Sequence, residues 1–196
     1  KELMERMGEN EEFRTFLGLD PAYTTKGTSD YSAFVTATVD AKKNIYIIEA
    51  LRRRVDVVGW VRLLFTVIDR YNPKEIAIQK IDWDRALKRP VQEEMARRGK
   101  YFRPHLTQAY SSTLQGLSSK ITRISQLAPL YSAGQIFHVR DGPGIKDLEG
   151  ELLSFPRSKH DDLGDSLAQV REVLYPPQAK KVKEHRMFED LDRDAI

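Results

Sequence analysis

The chain has 196 residues, 40% of them hydrophobic and 31% charged, with a formal net charge of +3 at pH 7. That length suits one domain with a full core, and no apolar run approaches the ~20 residues of a membrane-spanning helix. There is no cysteine, which excludes disulfides and thiolate metal sites and leaves oxygen and nitrogen as the available metal ligands.

Lys1–Glu12 is polar and charged without a signal-peptide pattern, and is expected to be a linker in a fragment of something longer. Thr15 to Leu19 reads as a strand that ends on Asp20. A turn containing Lys26-Gly-Thr-Ser-Asp leads to a second strand, Tyr31 to Val39, and Asp40-Ala-Lys-Lys turns into a third, Asn44 to Ala50. Val58, Val61, Leu64, Phe65 and Ile68 have the spacing of an amphipathic helix over Val55 to Tyr71, which Asn72-Pro-Lys ends. Glu75 to Gln79 is a short buried strand, Arg85 to Arg98 a helix closed by Gly99, and Tyr101 to Leu106 is strand-like. Lys120 to Tyr131 is a helix, Gln135 to Val139 a strand, and Leu163, Leu167, Val170 and Leu174 form the stripe of a last helix. Three hairpin-linked strands followed by helix, strand, helix and strand predict an α/β fold with a mixed sheet flanked by helices. After Pro176-Pro177 the chain is charged and weakly patterned, so 176–196 is expected to be a flexible tail.

A carboxylate at a strand end, Asp20, and three aspartates inside five positions of a late helix, Asp161, Asp162 and Asp165, are what a hard divalent cation needs. Mg²⁺ takes one or two protein carboxylates and leaves room for substrate phosphate, so the layout points to metal-dependent phosphodiester chemistry. The competing reading of Asp20 is a turn-opening Asp-Pro, and the Thr- and Gly-rich turn also has the look of a phosphate hairpin of actin-like ATPases. On a helical wheel Asp162 lies about 80° from Val170 at the stripe's edge, closest of the three to the core. Asp161 and Asp165 share a face further round, where they complement the helix dipole or support the cation. His160 orients a water or a phosphate, or is a bystander before a helix. Arg52-Arg-Arg, Arg85, Lys88, Arg89, Lys120 and Arg123 belong to a basic middle that suits a polyanion, against the plainer reading of solvated mixed charge. Lys120 and Arg123, one turn apart on the polar side of their helix, are candidate phosphate clamps.

Leu-Gly-Leu-Asp20-Pro-Ala with Gly-Thr-Ser-Asp-Tyr31, Ile-Ala-Ile-Gln79, Ser-Ser-Lys120-Ile-Thr-Arg123-Ile with Gly134-Gln-Ile-Phe, and His160-Asp-Asp-Leu-Gly-Asp165-Ser-Leu-Ala together carry a family resemblance. In their order and spacing, over residues 13–175, the chain resembles the C-terminal nuclease domain of a tailed-bacteriophage large terminase, the DNA-packaging motor subunit. The resemblance implies an RNase H-like fold of the resolvase and integrase type. It also implies endonucleolytic cutting of double-stranded viral DNA by two Mg²⁺ or Mn²⁺ ions, with Asp20, Asp162 and Asp165 as metal ligands. Arg52, Arg53, Arg85, Lys88, Arg89, Lys120 and Arg123 would then hold DNA. Its implied partners are an N-terminal packaging ATPase, a viral portal and a small terminase subunit, in the host cytoplasm and with no membrane. The Gly-x-x-x-x-Gly-Lys-Ser/Thr loop of such an ATPase does not occur in this sequence, which makes Lys1–Glu12 the expected linker from it.

One position departs from the family. At the end of the fourth strand, where the family has a carboxylate, stands Gln79, which offers an amide oxygen without charge. Asp82 or Asp84 takes over its role if that strand runs longer; otherwise the metal site is weakened. Three alternatives stay open: a DNA-binding module that no longer cuts, a Holliday-junction resolvase-like nuclease, and an actin-like nucleotide binder.

Overall fold

The computed structural model describes residues 13–22, 31–108, 119–158 and 160–177. Its elements are β1 (Phe13–Asp20), β2 (Ser32–Asp40), β3 (Ile45–Arg53), α1 (Val57–Tyr71), β4 (Glu75–Gln79), α2 (Lys80–Asp82), a π-helical segment (Trp83–Leu87), α3 (Lys88–Arg98), β5 (His105–Thr107), α4 (Ser119–Ser125), α5 (Ala128–Ser132), β6 (Ile136–His138), α6 (Ile145–Ser154) and α7 (Asp162–Val173). The linker, the Gly-Thr-Ser-Asp turn, the Gln115-Gly-Leu-Ser loop, the side chain of Lys120 and most of the tail lie outside the described residues.

The strands form one mixed sheet in the order β5-β4-β1-β2-β3-β6. β1, β2 and β3 are antiparallel hairpin neighbours, while β4 runs parallel to β1, β5 parallel to β4 and β6 parallel to β3. Successive side chains of a strand point to opposite faces, and the sheet has a core on each. Leu17, Leu19, Ile76 and Ile78 pack with Trp60, Leu64, Phe65, Val91 and Met95 of α1 and α3. Phe16, Ala77, Val35 and Ala37 pack with Leu163, Leu167 and Val170 of α7 and with Ile124 and Leu148. β2 is covered on both faces, as the centre of such a sheet must be.

Local chemistry sets the ends. Asp56 caps α1 by accepting from the Gly59 N–H at 2.7 Å, and Asn72 closes it in the left-handed conformation ahead of Pro73. Gly99 closes α3 in the same way at φ 63°.

Four expectations change. The strand before Gln79 does not run on: the chain turns helical at Lys80, so Asp82 and Asp84 sit on a helix and not in line with β4, and Asp84 pairs with Lys80 at 2.7 Å. The helix expected over Lys120 to Tyr131 is two, because Pro129 has no N–H to continue the ladder. The strand-like stretch before Leu106 narrows to His105–Thr107. α6 had no counterpart in the sequence reading. It starts after Gly144, whose φ is 69° and where a Cβ would lie 1.8 Å from the Ala50 carbonyl oxygen.

Candidate active site

Asp20 ends β1, and by strand alternation its side chain shares the face of Phe16 and Gly18, toward α7. Leu19 pairs with Ile78 in the parallel β1–β4 register, so Gln79 sits beside Asp20. Sharing parity with Ala77, it points to the same face.

α7 runs antiparallel to β1 and very close to it. Ser166 Oγ donates to the Gly18 carbonyl at 2.8 Å, and a Cβ on Gly18 would lie 2.2 Å from the Ser166 carbonyl oxygen. Further along, the Tyr175 ring stacks edge-on against Phe16 with centroids 5.0 Å apart. From Gly18, Asp20 is two residues ahead, about 6.6 Å along the strand. From Ser166, Asp162 is four residues back, about 6 Å along the helix and on the same helical face. Asp20 and Asp162 thus reach the same end of the same sheet face, and the glycine of Leu-Gly-Leu-Asp is what lets the helix come this near.

The start of α7 is held from outside. Its N-cap residue, Asp161, makes no side-chain cap. Instead Glu151 of α6 accepts from the Leu163 N–H at 2.9 Å and the Gly164 N–H at 3.3 Å, and Arg52 of β3 pairs with Glu151 at 2.5 Å. Burial pushes the Glu151 carboxyl above the usual glutamate range and the Asp162 charge adds to this. The two backbone donors and Arg52 oppose it. Glu151 escaped the sequence reading because the helix that carries it did.

Arg52, expected on DNA, is therefore a structural partner of Glu151, and it also lies over the Tyr31 ring at 5.0 Å. Arg54 covers the same ring at 4.3 Å, and His160 meets it edge-on at 5.3 Å. His160 thus stands beside an aromatic and basic cluster just ahead of Asp162.

Asp165 and Arg123 depart furthest from expectation. Leu163 to Val170 is buried on every side, because α4 and α6 cover the flank of α7 that the sheet leaves open. A wheel read as core against solvent does not apply to an enclosed helix. Asp165 is 3% exposed and Arg123 5% exposed, and they pair at 2.7 and 2.8 Å. Arg123 is thus no solvent-facing phosphate clamp. With its amide oxygen turned toward these donors, Gln79 accepts from both terminal nitrogens of Arg123 at 2.9 and 3.1 Å. Half-buried Gln79 and buried Arg123 and Asp165 form one network, joining the end of β4 to α7 through α4. One turn further along α7, buried Gln169 accepts from Thr107 Oγ1 at 2.6 Å and ties β5 to it.

Among the described residues no three His, Asp or Glu side chains are grouped as metal ligands. Asp20 and Asp162 match the one or two carboxylates that a single hard cation takes from a protein. Asp165, the third carboxylate expected of a two-ion site, pairs with Arg123, and Gln79 beside Asp20 has no charge. Arg53, Arg85, Lys88 and Arg89 are exposed, with Arg89 paired to Glu93 at 2.8 Å.

The folds of solved terminase nucleases are similar. A large terminase nuclease from the thermophilic phage G20c is 21% identical over 85% of each chain, with a TM-score of 0.52. The same nuclease with bound cobalt is 22% identical over 84% of this chain and 83% of that one, with a TM-score of 0.53. A manganese-soaked, inhibitor-bound human cytomegalovirus terminase nuclease domain is 14% identical over 88% and 93%, with a TM-score of 0.50. No curated protein sequence matches. The sequence profile of the terminase RNaseH-like domain matches residues 17–171, from β1 through nearly the whole of α7, and the chain belongs to that family.

Proposed function

We propose that this chain is an endonuclease domain that hydrolyses phosphodiester bonds of double-stranded DNA with the help of a divalent ion, Mg²⁺ or Mn²⁺. The observation that carries this reading is the meeting of Asp20 and Asp162 at one end of one sheet face in a terminase RNase H-like domain. The manganese and cobalt in the solved terminase nucleases support the choice of ion. Such an ion supplies an activated water and charge stabilisation at the phosphate. Asp20 and Asp162 would hold it, and Glu151 with Arg52 would keep Asp162 in place by fixing the first turn of α7. Exposed Arg53, Arg85, Lys88 and Arg89, joined by Lys120, would neutralise backbone phosphates with little base readout. In the same reading the domain works in a viral genome-packaging motor in the host cytoplasm, beside a packaging ATPase, a portal and a small terminase subunit.

Supercoiled plasmid incubated with Mn²⁺ tests the proposal: nicking and linearisation are expected, and Asp20→Asn should abolish both while duplex binding persists. A second reading has its own observation. The neutral Gln79, bound to a buried arginine, lowers the negative charge of the site, as in a domain that grips DNA without cutting it. Duplex binding with no cleavage at any Mn²⁺ concentration would select that reading.

A further inference from the structure

We propose that the Arg123 guanidinium is a built-in cation of this centre. It holds the place between Gln79 and Asp165, so that the chain binds one divalent ion, at Asp20 and Asp162, rather than two. This rests on the metal-nuclease reading and deepens it.

Two side chains with oxygen ligands surround Arg123. Its Nη2 lies 2.7 and 2.8 Å from the two Asp165 carboxylate oxygens, and Nη1 and Nη2 donate to the turned Gln79 amide oxygen at 2.9 and 3.1 Å. These are the side chains at the end of β4 and one turn into α7 where, by resemblance, a second ion's ligands would stand. A guanidinium is a permanent cation with donors and no acceptor, so it sets a fixed positive charge against the oxygens that would otherwise face a metal. Burial keeps it there: a charge with 5% exposure cannot leave its counter-ion for solvent without a large desolvation cost.

The identity of residue 79 follows from the same accounting. With Arg123 and Asp165 already neutralising each other, the strand-end position needs an acceptor and no charge, which a glutamine supplies and a carboxylate does not. Burial also raises the carboxyl of Glu172 on α7, and the Arg123 charge opposes the rise, so the guanidinium's field reaches a further acid of that helix. A second dication beside this group would share one carboxylate with an existing positive charge, and like charges a few ångströms apart in a buried site repel strongly.

Mn²⁺ titration of the 196-residue chain, followed by electron paramagnetic resonance and calorimetry, tests the inference without reference to cleavage. One ion per chain with the spectrum of an isolated ion is expected, and Asp20→Asn should remove it. Gln79→Glu should still bind one ion, because Arg123 remains. Gln79→Glu combined with Arg123→Ala should bind two with exchange-coupled spectra, since it restores a carboxylate and vacates the cation position. Two coupled ions in the unmodified chain, or in Gln79→Glu alone, would overturn the inference while leaving the metal-nuclease reading standing. No bound ion in the unmodified chain would sink both. If the double variant does not fold, the unmodified chain and Gln79→Glu decide the matter.

Discussion

Gly18→Ala is the substitution that most sharply links packing to activity. The added Cβ would lie 2.2 Å from the Ser166 carbonyl oxygen, 2.5 Å from Val170 Cγ2 and 2.9 Å from the Val170 nitrogen. Two of these neighbours are backbone, so no rotamer change relieves them. Clearance of 3.0 Å requires α7 to retreat from β1 by about 0.8 Å. Overpacking of this kind costs about 1–3 kcal/mol, which for a domain of this size lowers the melting temperature by about 2–12 °C. The retreat also carries Asp162 away from Asp20, and a misplacement near 1 Å costs on the order of 100-fold in rate. Plasmid cleavage measured well below the variant's melting point separates the two effects, because the protein is then fully folded. We expect a loss of cleavage far larger than the stability change alone explains. Unchanged melting with unimpaired cleavage would refute the close approach of α7 to β1.

Arg123→Ala removes one partner of a pair whose side chains are 6% and 4% exposed, at a cost of about 3–5 kcal/mol; a thermal melt without metal reads it, and an unchanged melt would show the pair to be unimportant. Glu151 has its carboxyl raised by burial, so its contribution to stability is complete below the ordinary glutamate value near ~4.3 and is lost as pH rises through the raised value. Glu151→Gln should therefore gain stability relative to the unmodified chain as pH climbs from acid to neutral, and denaturant melts at stepped pH that run parallel would contradict this. Duplex binding should weaken steeply with salt, and Arg85→Ala with Lys88→Ala should reduce the slope of log K against log salt by about 1.8. Arg123→Ala should leave that slope unchanged, and an equal reduction would place Arg123 on the DNA.

The sheet was readable because its signals are local. Alternation and apolar runs end at Asp20, Asp40 and Gln79, and β1, β2 and β4 fall within two residues of their expected bounds. The placing of Gln79 beside Asp20 rests on the parallel pairing of β1 with β4, which the pattern within neither strand reveals. What could not be read is what depends on distant partners. Arg123 and Asp165 are 42 positions apart, and nothing near either residue marks it as buried. Periodicity in α7 marked one apolar stripe, yet polar residues line the rest of a helix that other helices enclose. α6 carries Ile145, Leu148 and Leu152 at helical spacing, but over only ten residues and interrupted by Gly150, and its main task, presenting Glu151 to the first turn of α7, is a long-range one.

Manganese soaked into crystals of the 196-residue chain, with its anomalous signal mapped, shows how many ions the site holds and which side chains hold them. One ion bound by the carboxylates of Asp20 and Asp162 is expected, with Arg123 still joined to Asp165 and Gln79. An ion bound away from Asp20 and Asp162, or those two carboxylates standing apart with none between them, would contradict it.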